Sequence, residues 1–262
     1  MKIKILNIVL GICLSVGLVQ ADKLKQIRQS GTIKVGVVND YEPFGFVSRT
    51  GKIIGVDIDL LNFIAKQLKI KLQLIPIDPK NYITLINTNQ VDIVAAALTH
   101  TRRADKKVDF TIAYFYDGQS ILGPYNSNAT SFKNYENKTV GVIKGSTAQK
   151  VFGVIQPLAK LVEFDNRNDM VDALAAGKLD AATGDSAFLF KKAQKSRGTL
   201  KMIGKPFILK PYAIALKENE SNLRDELNFA IQQYVKSGEY QQNYKKWFPK
   251  RILKRNPTLW PY

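Results

Sequence analysis

Residues 90–95, Gln-Val-Asp-Ile-Val-Ala, and residues 178–183, Lys-Leu-Asp-Ala-Ala-Thr, are one element written twice. Each is a short apolar run entered through an Asp, and an apolar run of this length without alternation suits a strand buried on both faces of a parallel sheet. The first copy extends from Val91 to Ala97. Before it, Ile33, Val35 and Val37 alternate with smaller or polar neighbours, Ile58, Leu61, Ile64, Ala65 and Leu68 fall on one helical face, and Ile70, Leu72 and Leu74 alternate again. Before the second copy, Thr139 to Ile143 and Leu161 to Phe164 read as strands, Gly145-Ser146-Thr147 opens a helix, and Met170 to Ala176 is a helix closed by Gly177. The second buried strand, Leu179 to Thr183, ends at Gly184-Asp185-Ser186, where a further helix starts. Strand and helix alternate almost without interruption, so the chain is α/β, and it holds two lobes built from related βα units.

Extended apolar segments join the two sets between Tyr114 and Leu122 and again between Tyr212 and Leu216. After the second crossing, helices rich in Leu227, Ala230, Ile231, Tyr234, Tyr244 and Trp247 return to the first set. The expected division is one discontinuous lobe from residues 22–116 and 213–262 and a second lobe from residues 117–212. Two crossings make a hinge. Ligands of open α/β sheets bind beyond the carboxyl ends of the strands, so two facing lobes put a site in the cleft between them, and closure is its natural motion.

Residues 1–21 read as a cleaved export signal: Lys2 and Lys4, an apolar run from Ile5 to Val19, then Val19-Gln20-Ala21 at the peptidase site. The competing reading, a retained anchor, meets an apolar run that falls short of the ~20 residues needed to span hydrocarbon. Cys13 is the only cysteine and lies in this segment, so the mature chain has no disulfide and no thiolate metal site. The formal charge of +17 over 262 residues becomes +15 once the two leader lysines are gone. Such a balance suits nucleic acid, but the lysines are scattered and export removes the chain from most nucleic acid; a soluble basic surface is the expected reading. The tail from Lys250 to Tyr262, with Lys250-Arg251, Lys254-Arg255, Pro257 and Pro261, is an irregular basic extension.

The residues Tyr41-Glu42-Pro43-Phe44, Gly55-Val56-Asp57-Ile58-Asp59-Leu60, Lys107-Val108-Asp109-Phe110, Asp117-Gly118-Gln119, Gly145-Ser146-Thr147 and Lys246-Trp247-Phe248, in this order with the two buried strands, resemble the bacterial extracellular solute-binding proteins of family 3. The similarity runs over roughly residues 31–248. It implies a type II periplasmic-binding-protein fold, and a monomer in the periplasm of a Gram-negative bacterium that hands a small polar solute, an amino acid above all, to the membrane permease of an ABC importer. No cofactor, metal, nucleic acid or catalysis is implied.

A free α-amino acid needs donors for its carboxylate, acceptors for its ammonium and a surface for its side chain. By resemblance Thr99 and Thr147, with the backbone of Ser146 and Thr147, donate to the carboxylate; Asp185 and the carbonyl of Ala97 accept the ammonium; and Tyr41, joined by Phe44, forms the aromatic wall. Read without the resemblance, Asp185 is the N-cap of the helix it precedes. Asp57 and Asp59 charge the first turn of a helix and take no ligand.

One departure stands out. The family turn runs Thr-x-x-Arg before Lys-Val-Asp-Phe, and here the aligned residues are Thr101-Arg102-Arg103-Ala104, so the carboxylate-binding Arg is replaced by Ala104. Either Arg103 swings in to make the bidentate contact, which is the expectation, or the ligand is held without it; a solvated basic turn is the bland alternative. Among enzymes, a dehydratase acting on cyclohexadienyl substrates shares this fold and is the alternative function. His100 is the sole histidine, and no nucleophile elbow or phosphate-binding loop is present.

Overall fold

The structure, a computed structural model, describes residues 22–249 and residue 257. The proposed export signal and all of the basic tail except Pro257 lie outside the described residues. In chain order the elements are α1 (Lys23–Ser30), β1 (Thr32–Val37), β2 (Asp40–Tyr41), β3 (Gly45–Val47), β4 (Ile53–Ile54), α2 (Val56–Leu68), β5 (Lys71–Pro76), α3 (Tyr82–Asn87), β6 (Ile93–Val94), β7 (Asp109–Phe110) and β8 (Phe115–Pro124). There follow β9 (Thr139–Ile143), α4 (Thr147–Ile155), β10 (Lys160–Phe164), α5 (Arg167–Ala175), β11 (Ala181–Asp185), α6 (Ser186–Lys195), β12 (Leu200–Tyr212), β13 (Ala215–Leu216), α7 (Ser221–Lys236) and α8 (Glu239–Trp247).

Two five-stranded sheets share one plan. The first runs β5-β1-β6-β13-β7 and the second β10-β9-β11-β8-β12. In each, the three leading strands are parallel, and the fourth place is taken by an antiparallel strand that belongs to a crossing between lobes. The doubled sequence element has a physical counterpart. Asp92 accepts from the Lys34 amide of β1 at 2.8 Å and returns its own amide to the Lys34 carbonyl at 2.8 Å. Asp180 does the same with Thr139 of β9, at 2.8 and 2.9 Å. In both lobes the Asp therefore pins the entry of the central strand to the first strand, which fixes the register of everything the strand delivers at its far end.

The crossings lie side by side. Thr111 and Tyr114 donate their amides to the carbonyls of Ile214 and Tyr212, both at 2.9 Å, and Ala213 donates to Leu98 at 3.1 Å. β8 and β12 then continue into the second lobe as an antiparallel pair, with an irregularity between Ile203 and Ile208. Tyr212 to Leu216 is wholly buried. The C-terminal helices pack on the first lobe through α2, where Trp247 donates its indole N–H to Asp59 at 2.6 Å and Lys246 pairs with the same carboxylate at 2.8 Å.

A small antiparallel sheet, β2-β3-β4, carries Tyr41 to the edge of the first lobe. It is locked to α2 where the helix begins, with Val56 and Asp57 donating to the carbonyls of Pro43 and Phe44 at 2.9 and 3.1 Å. Gly55, at φ +147°, makes this possible: a Cβ there would stand 2.0 Å from the Phe44 carbonyl oxygen. Glycine is the one residue that takes both the backbone angle and the close approach.

Candidate functional site

The carboxyl ends of the central strands from both lobes open onto one cleft of about 740 Å³. The first lobe lines it with Tyr41, Ala97 and Thr99, and the second with Ser146, Thr147 and Asp185, so six of the eight residues expected at the site share one cavity. Arg167, Phe188 and Lys210 join them.

Asp185 is the centre of the arrangement. It occupies the N-cap position of α6, yet its side chain makes no capping hydrogen bond. That task has passed to Asp117 on β8, whose carboxylate accepts from the Ala187 amide at 3.1 and 3.2 Å. With the helix end satisfied from elsewhere, the Asp185 carboxylate is free to face the cleft. Its Oδ1 accepts from Lys210 Nζ at 2.7 Å and from the Gln119 amide, and its Oδ2 accepts from the Tyr41 hydroxyl across the gap between lobes. Burial by itself raises the pKa of such a carboxyl, but the Lys210 ammonium, with Tyr41 and Gln119, outweighs it and holds Asp185 well below the usual carboxylate range. Burial and then the Asp185 charge push the Tyr41 phenol well above its ordinary value, so it is a neutral donor.

The opposite wall depends on a second buried carboxyl. The backbone leaves β6 through Ala97, whose φ of +49° is unusual for a residue with a Cβ. Asp57, in the first turn of α2, holds that backbone by accepting the Ala97 amide at 2.8 Å, and its other oxygen meets the Tyr114 hydroxyl at 2.8 Å. Burial pushes the Asp57 carboxyl up to about 7 against the two hydrogen bonds. Asp57 and Asp59 do stand in the first turn. Their side chains, however, tie α2 to the cleft backbone and to α8, and neither lines the cleft.

On the second lobe Ser146 is the N-cap of α4, its Oγ accepting from the Gln149 amide at 3.1 Å. Ser146, Thr147 and Ala148 at the start of α4 line the cavity, where a helix N-terminus favours negative charge.

Two expected residues lie elsewhere. Phe44 is fully buried and packs against Tyr41, Phe115 and Tyr212 with ring centroids 5.2–5.4 Å apart, so it backs the aromatic wall rather than lining it. Arg103 is exposed and outside the cleft. Residues 101–108 wind as successive turns, with Ala104 and Asp105 donating to the Thr101 carbonyl at 2.9 and 3.1 Å. The Ala104 methyl is the buried position of the turn, and that turns its neighbours 102, 103 and 105 outward. Beside them His100 stacks on Phe110 at 4.5 Å and bonds Asp105 at 2.6 Å, and it is not among the residues lining the cleft.

Three residues here carry no local sequence signal. Lys210 is one of many lysines, but its side chain is 93% covered and its ammonium lies 5.5 Å from the Tyr212 ring centroid. Arg167, the first residue of α5, sets its guanidinium carbon 4.1 Å from the centre of the Tyr41 ring. Gln119 sits in the Asp-Gly-Gln stretch, where only the antiparallel pairing with Asp185 shows what it faces.

Comparison with known proteins accords with this geometry. The family model for bacterial extracellular solute-binding proteins, family 3, matches residues 33–250. The glutamine-binding protein GlnH of a Bacillus subtilis (strain 168) ABC transporter is 34% identical over 231 residues, 86% of this chain and 84% of its own. A solved ancestral arginine-binding protein with bound arginine superposes with a TM-score of 0.77 at 33% identity, covering 83% of this chain and 98% of its own. A second solved structure, an ancestral amino acid-binding protein described as a precursor of cyclohexadienyl dehydratase, gives a TM-score of 0.80 at 30% identity over 87% and 100%. The type II periplasmic-binding fold, with its two hinge crossings, accounts for the paired sheets. The chain belongs to the bacterial extracellular solute-binding proteins, family 3, and is a solute-binding protein rather than an enzyme.

Proposed function

We propose that this chain is the periplasmic binding component of an ABC importer and that it captures an amino acid by closing its two lobes on it. The observation that carries the reading is the single cleft in which Tyr41 of the first lobe meets Asp185 of the second, with hydroxyl donors from both lobes beside them. Thr99 and Thr147, with the backbone of Ser146 and Thr147, take the α-carboxylate. Asp185 and the Ala97 carbonyl take the ammonium: Asp185 accepts three hydrogen bonds in the structure, and a carboxylate offers about four acceptor sites. Tyr41 forms the wall for the side chain, with Phe44 behind it. Arg103 takes no part, because the turn that buries Ala104 carries it to solvent.

Residues 1–21 act as the export signal, and the protein works as a monomer in the periplasm of a Gram-negative bacterium, docking on a membrane permease. Its lobes are residues 22–116 with 213–262 and residues 117–212. A thermal-shift screen against the twenty amino acids and small carboxylates tests the reading. A solute present at a hundred times its Kd adds about 2.7 kcal/mol to the folded state, which raises Tm by about 5 °C in a chain of this size. The reading predicts such a rise for at least one amino acid; a flat response to all twenty contradicts it.

A further inference from the structure

The charges inside the cleft narrow the kind of solute it takes. Asp185 is already neutralised by Lys210 at 2.7 Å, with 15% and 7% of their side chains exposed. At the rim Lys80 faces Asp165 at 3.7 Å, and Lys144, Lys150, Asp40 and Asp78 also line the cleft, so its lining carries five cations (Lys80, Lys144, Lys150, Arg167, Lys210) against four carboxylates (Asp40, Asp78, Asp165, Asp185). Arg167 is the cation set against the aromatic wall. Its guanidinium lies over the Tyr41 ring on the cleft side, and among the described residues no carboxylate comes within ion-pair distance of it. A ring face attracts the cation but cannot accept its five N–H donors in the plane, which remain for a planar anion. Lys210 adds donors of the same sign, since an ammonium has three and the structure shows one given to Asp185.

We infer that the cleft selects a solute with net negative charge, an acidic amino acid, and that Arg167 is the specificity-determining residue that grips its side-chain carboxylate. The inference rests on the amino-acid reading above and adds the sign of the side chain. A cationic amino acid would bring its charge toward Arg167 and Lys210, where Asp185 is already paired. A neutral one would leave Arg167 facing an uncharged group.

Calorimetric titration at pH 7 of protein unfolded and refolded to remove carried solute tests this, with L-glutamate, L-aspartate, L-glutamine and L-arginine as probes. The expected result is that an acidic amino acid binds at least tenfold more tightly than glutamine or arginine. Arg167→Met is expected to weaken the acidic ligand at least tenfold and glutamine less than threefold, with Tm of the free protein unchanged; Arg167→Lys should fall between. Glutamine or arginine binding as tightly as the acidic pair overturns the inference and leaves the amino-acid reading intact. So does an equal loss for acidic and neutral ligands in Arg167→Met, which would place Arg167 on the α-carboxylate. If no amino acid binds but succinate or glutarate does, the amino-acid reading fails and the selection for anions stands. If none of these solutes binds, both fail.

Discussion

At the scale of single residues the site is built around two buried carboxyls with opposite pH behaviour. Asp185 is held below the ordinary range, so the stability it contributes is present above about pH 4, where free carboxyls titrate, and is lost as pH falls through its depressed value. Asp57 is pushed up to about 7. Between roughly pH 4 and 7 the folded chain keeps a proton there that the unfolded chain has released, so Asp57 makes stability fall as pH rises through that window, by something on the order of 2–4 kcal/mol. Asparagine reproduces the protonated form, with its oxygen accepting the Ala97 amide and its NH₂ donating to the Tyr114 oxygen. Asp57→Asn is therefore expected to flatten Tm between pH 4.5 and 7.5 while preserving the fold. A variant with the same slope as the parent would mean that the proton resides elsewhere.

Elements show why some of the site could be read from the chain and some could not. The doubled Asp-led strand was legible because its constraint is local: the Asp at the mouth of each copy bonds the neighbouring strand in the same way at Lys34 and at Thr139. From those registers Ala97, Thr99, Thr147 and Asp185 fall at the cleft. Arg103 lies outside the cleft because one step around a turn decides whether a side chain faces in or out, and the buried methyl of Ala104 takes the inward step. Nor could spacing show that Asp117, a residue of another strand, caps α6 in place of Asp185. That exchange has a measurable consequence. Asp117→Ala leaves the buried Ala187 amide unpartnered and should cost about 1–3 kcal/mol, whereas Asp117→Asn keeps an acceptor and should cost less; urea midpoints of the two variants separate them. Equal losses would show that charge, not the cap, is what Asp117 supplies.

Over the whole molecule the lobes are joined by two adjacent crossings and touch through contacts that need no ligand: Tyr41 with Asp185, Lys195 with Glu42, and Lys80 with Asp165. Each of the two ion pairs has a lysine more than half exposed and adds little, on the scale of surface pairs at about 0–1 kcal/mol. The Tyr41–Asp185 bond is part-buried and lines the proposed solute cleft. Lys210 and Arg167 carry no local signal because each is placed by packing between elements: Lys210 by the pairing of β12 with β8 that sets it beside Asp185, and Arg167 by the approach of α5 to Tyr41 of the first lobe. The lobes thus meet over a cleft in which Asp185 is already paired with Tyr41, Gln119 and Lys210, while Arg167, the spare donors of Lys210 and the hydroxyls of Thr99 and Thr147 are left to a solute. A solute that fits them stabilises the closed form by its differential affinity for it.

Closure can be followed directly. Cys13 is the only native cysteine, so with Cys13→Ser a spin-label pair at Asn81→Cys on the first lobe and Val154→Cys on α4 reports the gap alone; both positions are exposed. Pulsed electron double resonance on refolded, solute-free protein should give a broad distance distribution, and adding the amino acid that raises Tm should shorten and narrow it. An unchanged distribution at saturating solute would contradict a site that works by closing two lobes on its ligand.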